Sequence, residues 1–128
     1  MKFLPDTHLL LWAAGEPGKM SKAAREIIDD PSNDLYFSAV SIWEIAIKRA
    51  LGRASFQTDP QRMQRLLLAN GYIELALTSD HALVVLSLPP IHQDPFDRIL
   101  VAQAVSEGIT LLTADSDIAQ YPGPIRKV

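Results

Sequence analysis

The sequence predicts one α/β domain over residues 1–128, a single-domain α/β/α sandwich built on a central, mostly parallel sheet. Three observations carry that expectation. Apolar runs of strand length alternate with longer stretches of helical character, the pattern of a parallel sheet covered on both faces. A chain of 128 residues supports one hydrophobic core rather than two. No repeat, low-complexity tract or linker interrupts it.

The elements follow in order. Lys2–Pro5 is a short apolar strand with Asp6 at its end, and Thr7–Ala14 is a helix closed by Gly15-Glu16-Pro17-Gly18. Pro5 lacks a backbone N–H, which a strand end tolerates. Ser21 caps a helix that runs through Asp29 and stops at Asp30-Pro31. Leu35-Tyr36-Phe37-Ser38 is a second strand, set off by the turn residues Pro31-Ser32-Asn33-Asp34. Ser41 opens an apolar helix to about Leu51, ended by Gly52. Asp59-Pro60 begins the next helix with proline at its first position, and Asn70-Gly71 ends it. Tyr72–Leu77 is a third strand, Thr78 or Ser79 caps a helix to about Leu86, and Ser87–Gln93 is a loop. Asp94-Pro95 begins the best-marked helix, which reaches Glu107 with Gly108 behind it. Ile109–Thr113 is the fourth strand, a short helix lies near Ser116–Gln120, and Ile125–Val128 supplies an edge strand.

Composition narrows the function. The absence of cysteine excludes disulfides, a thiol nucleophile and thiolate-held zinc or iron–sulfur centres. Met1-Lys2-Phe3-Leu4 runs straight into Pro5-Asp6, so no signal-peptide core develops. No apolar run approaches the ~20 residues of a membrane-spanning helix, and a cytoplasmic address is expected. A net charge of −3 argues against a nucleic-acid binder unless a bound cation takes up part of the acidity. Lys48, Arg49 and Arg53 lie close together, with Arg62 and Arg65 beyond them. That cluster reads either as a patch for nucleic acid or as solvated helix faces. A glycine-rich phosphate loop is missing, which speaks against nucleoside-triphosphate chemistry.

The carboxylates are more telling. Asp6 follows the first strand and Asp115 the fourth, so both stand at the edge where parallel sheets bind ligands. Either alone also suits a helix N-cap. Glu44 lies in Val40-Ser41-Ile42-Trp43-Glu44-Ile45-Ala46-Ile47, a helix apolar almost all round and therefore expected to be buried. A buried carboxylate needs a cation, a proton or good hydrogen bonds, and a salt bridge to an arginine is the plainer alternative to a metal. Asp94 is placed as the cap of its helix, facing away from the site. Asp97 shares a stripe with Leu100, Val101 and Ala104 and points inward, although an acid in a first helical turn also suits the helix dipole. Four inward carboxylates would repel one another unless a cation sat among them. All-oxygen ligation selects Mg²⁺ or Mn²⁺, ions suited to phosphodiester hydrolysis.

Asp6-Thr7-His8, Ser41-Ile42-Trp43-Glu44, Asp94-Pro95-Phe96-Asp97-Arg98 and Thr113-Ala114-Asp115 together resemble the PIN-domain ribonucleases. The likeness is greatest to the VapC-like toxins of bacterial type II toxin–antitoxin systems, in order and spacing over essentially the whole chain. The resemblance implies a Mg²⁺- or Mn²⁺-dependent endoribonuclease whose products carry a 5′-phosphate and a 3′-hydroxyl. It assigns Asp6, Glu44, Asp97 and Asp115 to the family's acidic quartet as catalytic and metal-holding residues, Glu44 directly or through water. Asp117 assists through water. The implied partners are an RNA substrate, a second copy of the chain in a homodimer, and an antitoxin whose basic tail enters the acidic site.

Other residues and readings remain in play at this stage. Thr113 and Ser116 suit either support of a ligating carboxylate or strand-end and cap roles. His8, His81 and His92 are scattered in sequence, and no histidine base or metal ligand is expected among them. Trp12 and Trp43 are placed in the core or a dimer interface rather than against bases. A receiver-type signalling domain would want an acidic pair after the first strand, and a haloacid-dehalogenase phosphatase would want a second aspartate two residues after Asp6. Neither is present. A catalytically idle RNA- or protein-binding module of the same fold is the remaining alternative.

Overall fold

A computed structural model describes all 128 residues. Five strands, β1 (Lys2–Pro5), β2 (Asp34–Ser38), β3 (Ile73–Leu75), β4 (Thr110–Thr113) and β5 (Ile125–Lys127), form one sheet in the order β3-β2-β1-β4-β5. Every pairing in it is parallel. Six helices connect and cover the strands: α1 (Thr7–Gly15), α2 (Lys22–Asp29), α3 (Ala39–Ala50), α4 (Pro60–Ala69), α5 (Ser79–Val84) and α6 (Pro95–Glu107). The expected sandwich is present, and its sheet is parallel throughout. Receiver domains have the order 2-1-3-4-5, so the strand order alone sets this fold apart from theirs.

Side chains alternate across the sheet, as a strand's two-residue period requires. Leu4 and Leu111 point to one face, where Leu100, Val101 and Ala104 of α6 pack on them. Phe3 and Leu112 point to the other and meet Leu9, Met20 and Ala24 of the first helical hairpin. Phe37 of β2 centres a third cluster with Leu10, Ile45, Met63 and Leu67, drawn from α1, α3 and α4. The chain thus has a dry layer on each side of the sheet. Helix α6 is bounded as its sequence predicts: Asp94 Oδ1 accepts the Phe96 N–H at 2.8 Å, Pro95 occupies the first position, and Gly108 turns the chain in a left-handed conformation at φ 66°.

Several boundaries differ from the sequence reading. Helix α3 begins at Ala39, and its cap is Ser38, whose Oγ accepts the Val40 N–H at 3.0 Å. Ser38 ends β2 in extended geometry and is itself the first usable acceptor, so no linker separates strand from helix. Ser41 is therefore inside the helix and buried. Nor is α3 buried all round: Trp43 is 57% exposed, which removes it from the core. Strand β3 shrinks to three residues because it is the sheet's edge and gains ladder partners on one side only. Helix α5 stops at Val84 and tightens into a 3₁₀ turn over Val85–Ser87, and the short helix near residue 116 is a single 3₁₀ turn over Ile118–Gln120.

Candidate active site

Strand order reverses between β1 and β4, since β1 has β2 on one side and β4 on the other. Such a switch point opens a crevice beyond the carboxyl ends of the strands. Asp6 leaves β1 and Asp115 follows β4, and both line a cleft there with Glu44, Asp97, Lys48 and Asp94. Four segments far apart in sequence thus bring the four expected acids together. Another groove, between α1, α2 and α4, is apolar apart from Asp29, Asn70 and Tyr72, and gathers no comparable set of reactive groups.

Apart from Asp97, the acids are held by specific hydrogen bonds. Asp6 is buried, and its Oδ1 accepts the Leu9 N–H at 2.9 Å as the cap of α1. Its Oδ2 accepts the Thr113 hydroxyl at 2.6 Å. Thr113 Oγ1 in turn accepts the Asp115 N–H at 3.0 Å, so one buried hydroxyl ties two of the acids together. Glu44 Oε1 accepts the Thr7 hydroxyl at 2.5 Å, and that hydroxyl lies 3.0 Å from Ser41 Oγ. Glu44 Oε2 meets Lys48 Nζ at 2.6 Å. The plainer alternative for Glu44 is thus realised with a lysine instead of an arginine. Lys48 also reaches Asp94 Oδ2 at 3.0 Å, so Asp94 caps α6 and lines the cleft, whereas the sequence reading turned it away. Asp115 is 41% exposed at the mouth, and its Oδ1 accepts the N–H of the exposed Asp117.

Two residues at the site escaped the sequence reading. His92 Nε2 stands 3.4 Å from Asp97 Oδ2 and 3.7 Å from Asp115 Oδ2, while its Nδ1 accepts the Asp94 N–H at 3.0 Å. Its backbone is gripped by the Tyr121 hydroxyl, which Arg98 also contacts. His92, Asp115 and Asp117 form a rim whose ligand atoms lie within 4.8 Å of one another. Lys48 is the second. Arg49, Arg62 and Arg65 are exposed on solvated helix faces and Arg53 on the turn after α3, but Lys48 is drawn into the cleft. His8 and Trp12 line the same cleft, while His81 is buried elsewhere, bonded to the Thr78 N–H and to Glu107.

Positive charge is scarce among the acids, with Lys48 set against five carboxylates in the cleft. Burial, followed by the charges of Asp94, Glu44 and Asp6, pushes Asp97 up to about 7. Burial also raises Asp6, with Glu44 adding to it against the bonds from Thr113 and Leu9. Asp94 goes the other way: burial opposes it, but the Lys48 bond and charge hold its carboxyl below the ordinary range. Lys48 is correspondingly raised by Glu44 and Asp94, in spite of its own desolvation. A hard divalent cation is what such an oxygen-rich, under-compensated set accommodates. The residues present therefore fit Mg²⁺ or Mn²⁺.

A pH prediction follows for the metal-free protein. A carboxyl whose folded pKa is raised gives up stability as pH climbs from its unfolded value, about 4, through its folded one. With EDTA present, the melting temperature should fall between pH 5 and pH 8, and Asp97→Asn should flatten that slope. An unchanged slope in the variant would show that Asp97 does not carry the excess charge.

Comparison with known proteins places the chain. The family model described as the PIN domain matches residues 3–124. The chain belongs to the PIN-domain family. A curated relative, Ribonuclease VapC22 of Mycobacterium tuberculosis, is 26% identical over 94% of this chain and 92% of its own length. Among solved structures, VapBC2 of Rickettsia felis bound to a promoter DNA fragment matches with a TM-score of 0.73 at 13% identity, covering 99% of this chain and 98% of that one. DNA-bound VapBC of Salmonella typhimurium gives 0.65 at 18% identity, again over 99% and 98%. These likenesses support the fold, and the PIN-like resemblance read from the motifs is borne out. Within this PIN domain, Asp6, Glu44, Asp97 and Asp115 line a single cleft.

Asp94 and Asp97 are separable by mutation. Asp94→Ala removes the α6 cap and should lower stability by about 0.5–2 kcal/mol in thermal melts. Its RNA cleavage should fall far less than that of Asp97→Asn. The reverse ranking would exchange the roles of the two residues.

Proposed function

We infer that this PIN domain is a divalent-metal-dependent endoribonuclease, the toxin of a type II toxin–antitoxin pair. The observation that carries the reading is the convergence of Asp6, Glu44, Asp97 and Asp115 at the topological switch point of a PIN fold. Asp6, Asp97 and Asp115 would hold Mg²⁺ or Mn²⁺, with Glu44 contributing through water. When bound, such an ion acidifies a water, polarises the phosphate and shields the charge of an in-line displacement.

The chain's own residues do the rest. Thr113 fixes Asp6 relative to Asp115, and Thr7 fixes Glu44, so the acids are aimed before substrate arrives. Asp97 stands in the first turn of α6, behind the cap that Asp94 forms on the Phe96 N–H. Attack of water on phosphorus with loss of the 3′-oxygen leaves a 5′-phosphate and a 3′-hydroxyl. Asp117, at the rim beside Asp115, would assist through water.

Partners follow from the same charge. An acidic cleft attracts a lysine or arginine from a basic antitoxin tail, which can take the metal's place and silence the enzyme. The solved neighbours from Rickettsia and Salmonella are VapBC complexes, which supports an antitoxin partner. A homodimer completes the proposed assembly. No helix is long and apolar enough to cross a membrane. Expression of the chain alone should arrest growth and leave new 5′-phosphate ends in cellular RNA, and co-expression of the antitoxin should restore growth. Equal toxicity of the wild type and Asp6→Asn would overturn the reading in favour of an idle binding module.

A further inference from the structure

We propose that Lys48 occupies the place of a second divalent ion in the cleft, so that each chain loads a single ion. The inference rests on the nuclease reading and specifies the metal content of its site. Two-metal nucleases hold ions about 3.5–4 Å apart between shared carboxylates. Here the cleft is lined by five carboxylates, and two of them already share a cation. Lys48 Nζ lies 2.6 Å from Glu44 Oε2 and 3.0 Å from Asp94 Oδ2, joining α3 to the start of α6.

The ammonium is held from all sides. Its nitrogen is 4.9 Å from the centre of the Phe56 ring and 5.3 Å from that of Phe96, and the side chain is 14% exposed. The other oxygen of Glu44 takes the Thr7 hydroxyl. Glu44 and Asp94 thus share one ammonium, and each has an oxygen in direct contact with it. Asp6, Asp97 and Asp115 are the acids that Lys48 does not touch, and one divalent ion would offset two of their three charges. A second ion would have to displace Lys48 from two short bonds and leave its ammonium stranded among aromatic rings.

Lysine also explains the placement of Glu44. With one oxygen on a hydroxyl and the other on an ammonium, Glu44 would meet an ion only through water. An arginine at position 48 would keep the charge, whereas a methionine keeps the length of the stem and loses the charge.

The test is the number of Mn²⁺ ions bound per chain, measured by equilibrium dialysis and calorimetry on the full chain freed of partner and metal. The wild type and Lys48→Arg should each bind one ion. Lys48→Met should bind two, because Glu44 and Asp94 become free, and Mn²⁺ should raise its melting temperature more than that of the wild type. Two ions in the wild type, or one ion of unchanged affinity in a folded Lys48→Met, overturns the proposal. Lys48→Gln serves in the same way should the methionine variant not fold. A wild type that binds no Mn²⁺ overturns the nuclease reading as well. One that binds one ion and cuts RNA, beside a Lys48→Met that also binds one, overturns the Lys48 assignment alone.

Discussion

Asp97→Asn is expected to reduce RNA cleavage by more than about a hundredfold, while the metal-free protein melts at the same temperature or higher. Loss of a residue that merely supports a metal ligand typically costs 10–100-fold, so loss of a ligand's charge should cost more. Asparagine keeps the shape of aspartate and removes the charge. The position itself is secure, because Leu100, Val101 and Ala104 on the same stripe of α6 are fully buried and fix how the helix sits. Relief of repulsion should show in the melt: burial and three neighbouring acids hold the Asp97 carboxyl at about 7, so its ionised form is disfavoured at neutral pH. Initial rates in Mn²⁺ and thermal melts in EDTA measure the two effects. Wild-type rates in the variant would place Asp97 outside the chemistry.

Thr113→Val is the second large effect, an expected 10–100-fold loss of Mn²⁺ affinity from a residue with no charge. Its buried hydroxyl donates to Asp6 Oδ2 and accepts from the Asp115 N–H, and it is the direct link between those two acids. Valine fills the same volume, so the core should remain packed while Asp6 loses its orientation. The stranded Asp115 N–H adds a cost in stability of about 1–3 kcal/mol. Thr113→Ser should recover most of the affinity. A Thr113→Val protein that binds Mn²⁺ as the wild type does would confine the hydroxyl to a strand-end role.

Local chemistry made much of this molecule legible in its sequence. Asp94-Pro95 and Gly108 mark both ends of α6, and Asp59-Pro60 and Asn70-Gly71 do so for α4, because caps and prolines act within one turn. Asp6 and Asp115 could be placed at one sheet edge because each follows an apolar run. Lys48 and His92 could not be placed, since their roles depend on partners distant in the chain. Lys48 meets Asp94 46 residues away, and His92 is positioned by Tyr121 29 residues away. Nothing near Lys48 in sequence separates it from Arg49, which stays outside the cleft. Helix α3 misled for a related reason: its apolar side chains outnumber the buried positions, and Trp43 lies against Phe96 on the surface at 5.1 Å between ring centres.

The most direct test is the rate of RNA cleavage by partner-free protein as a function of free Mn²⁺, with Asp6→Asn beside the wild type. Metal-dependent cleavage predicts a saturable rise for the wild type that EDTA abolishes and added Mn²⁺ restores, and a flat line near zero for a fully folded Asp6→Asn. Cleavage that is equal with and without chelator, or an Asp6→Asn protein that follows the wild-type curve, would contradict it.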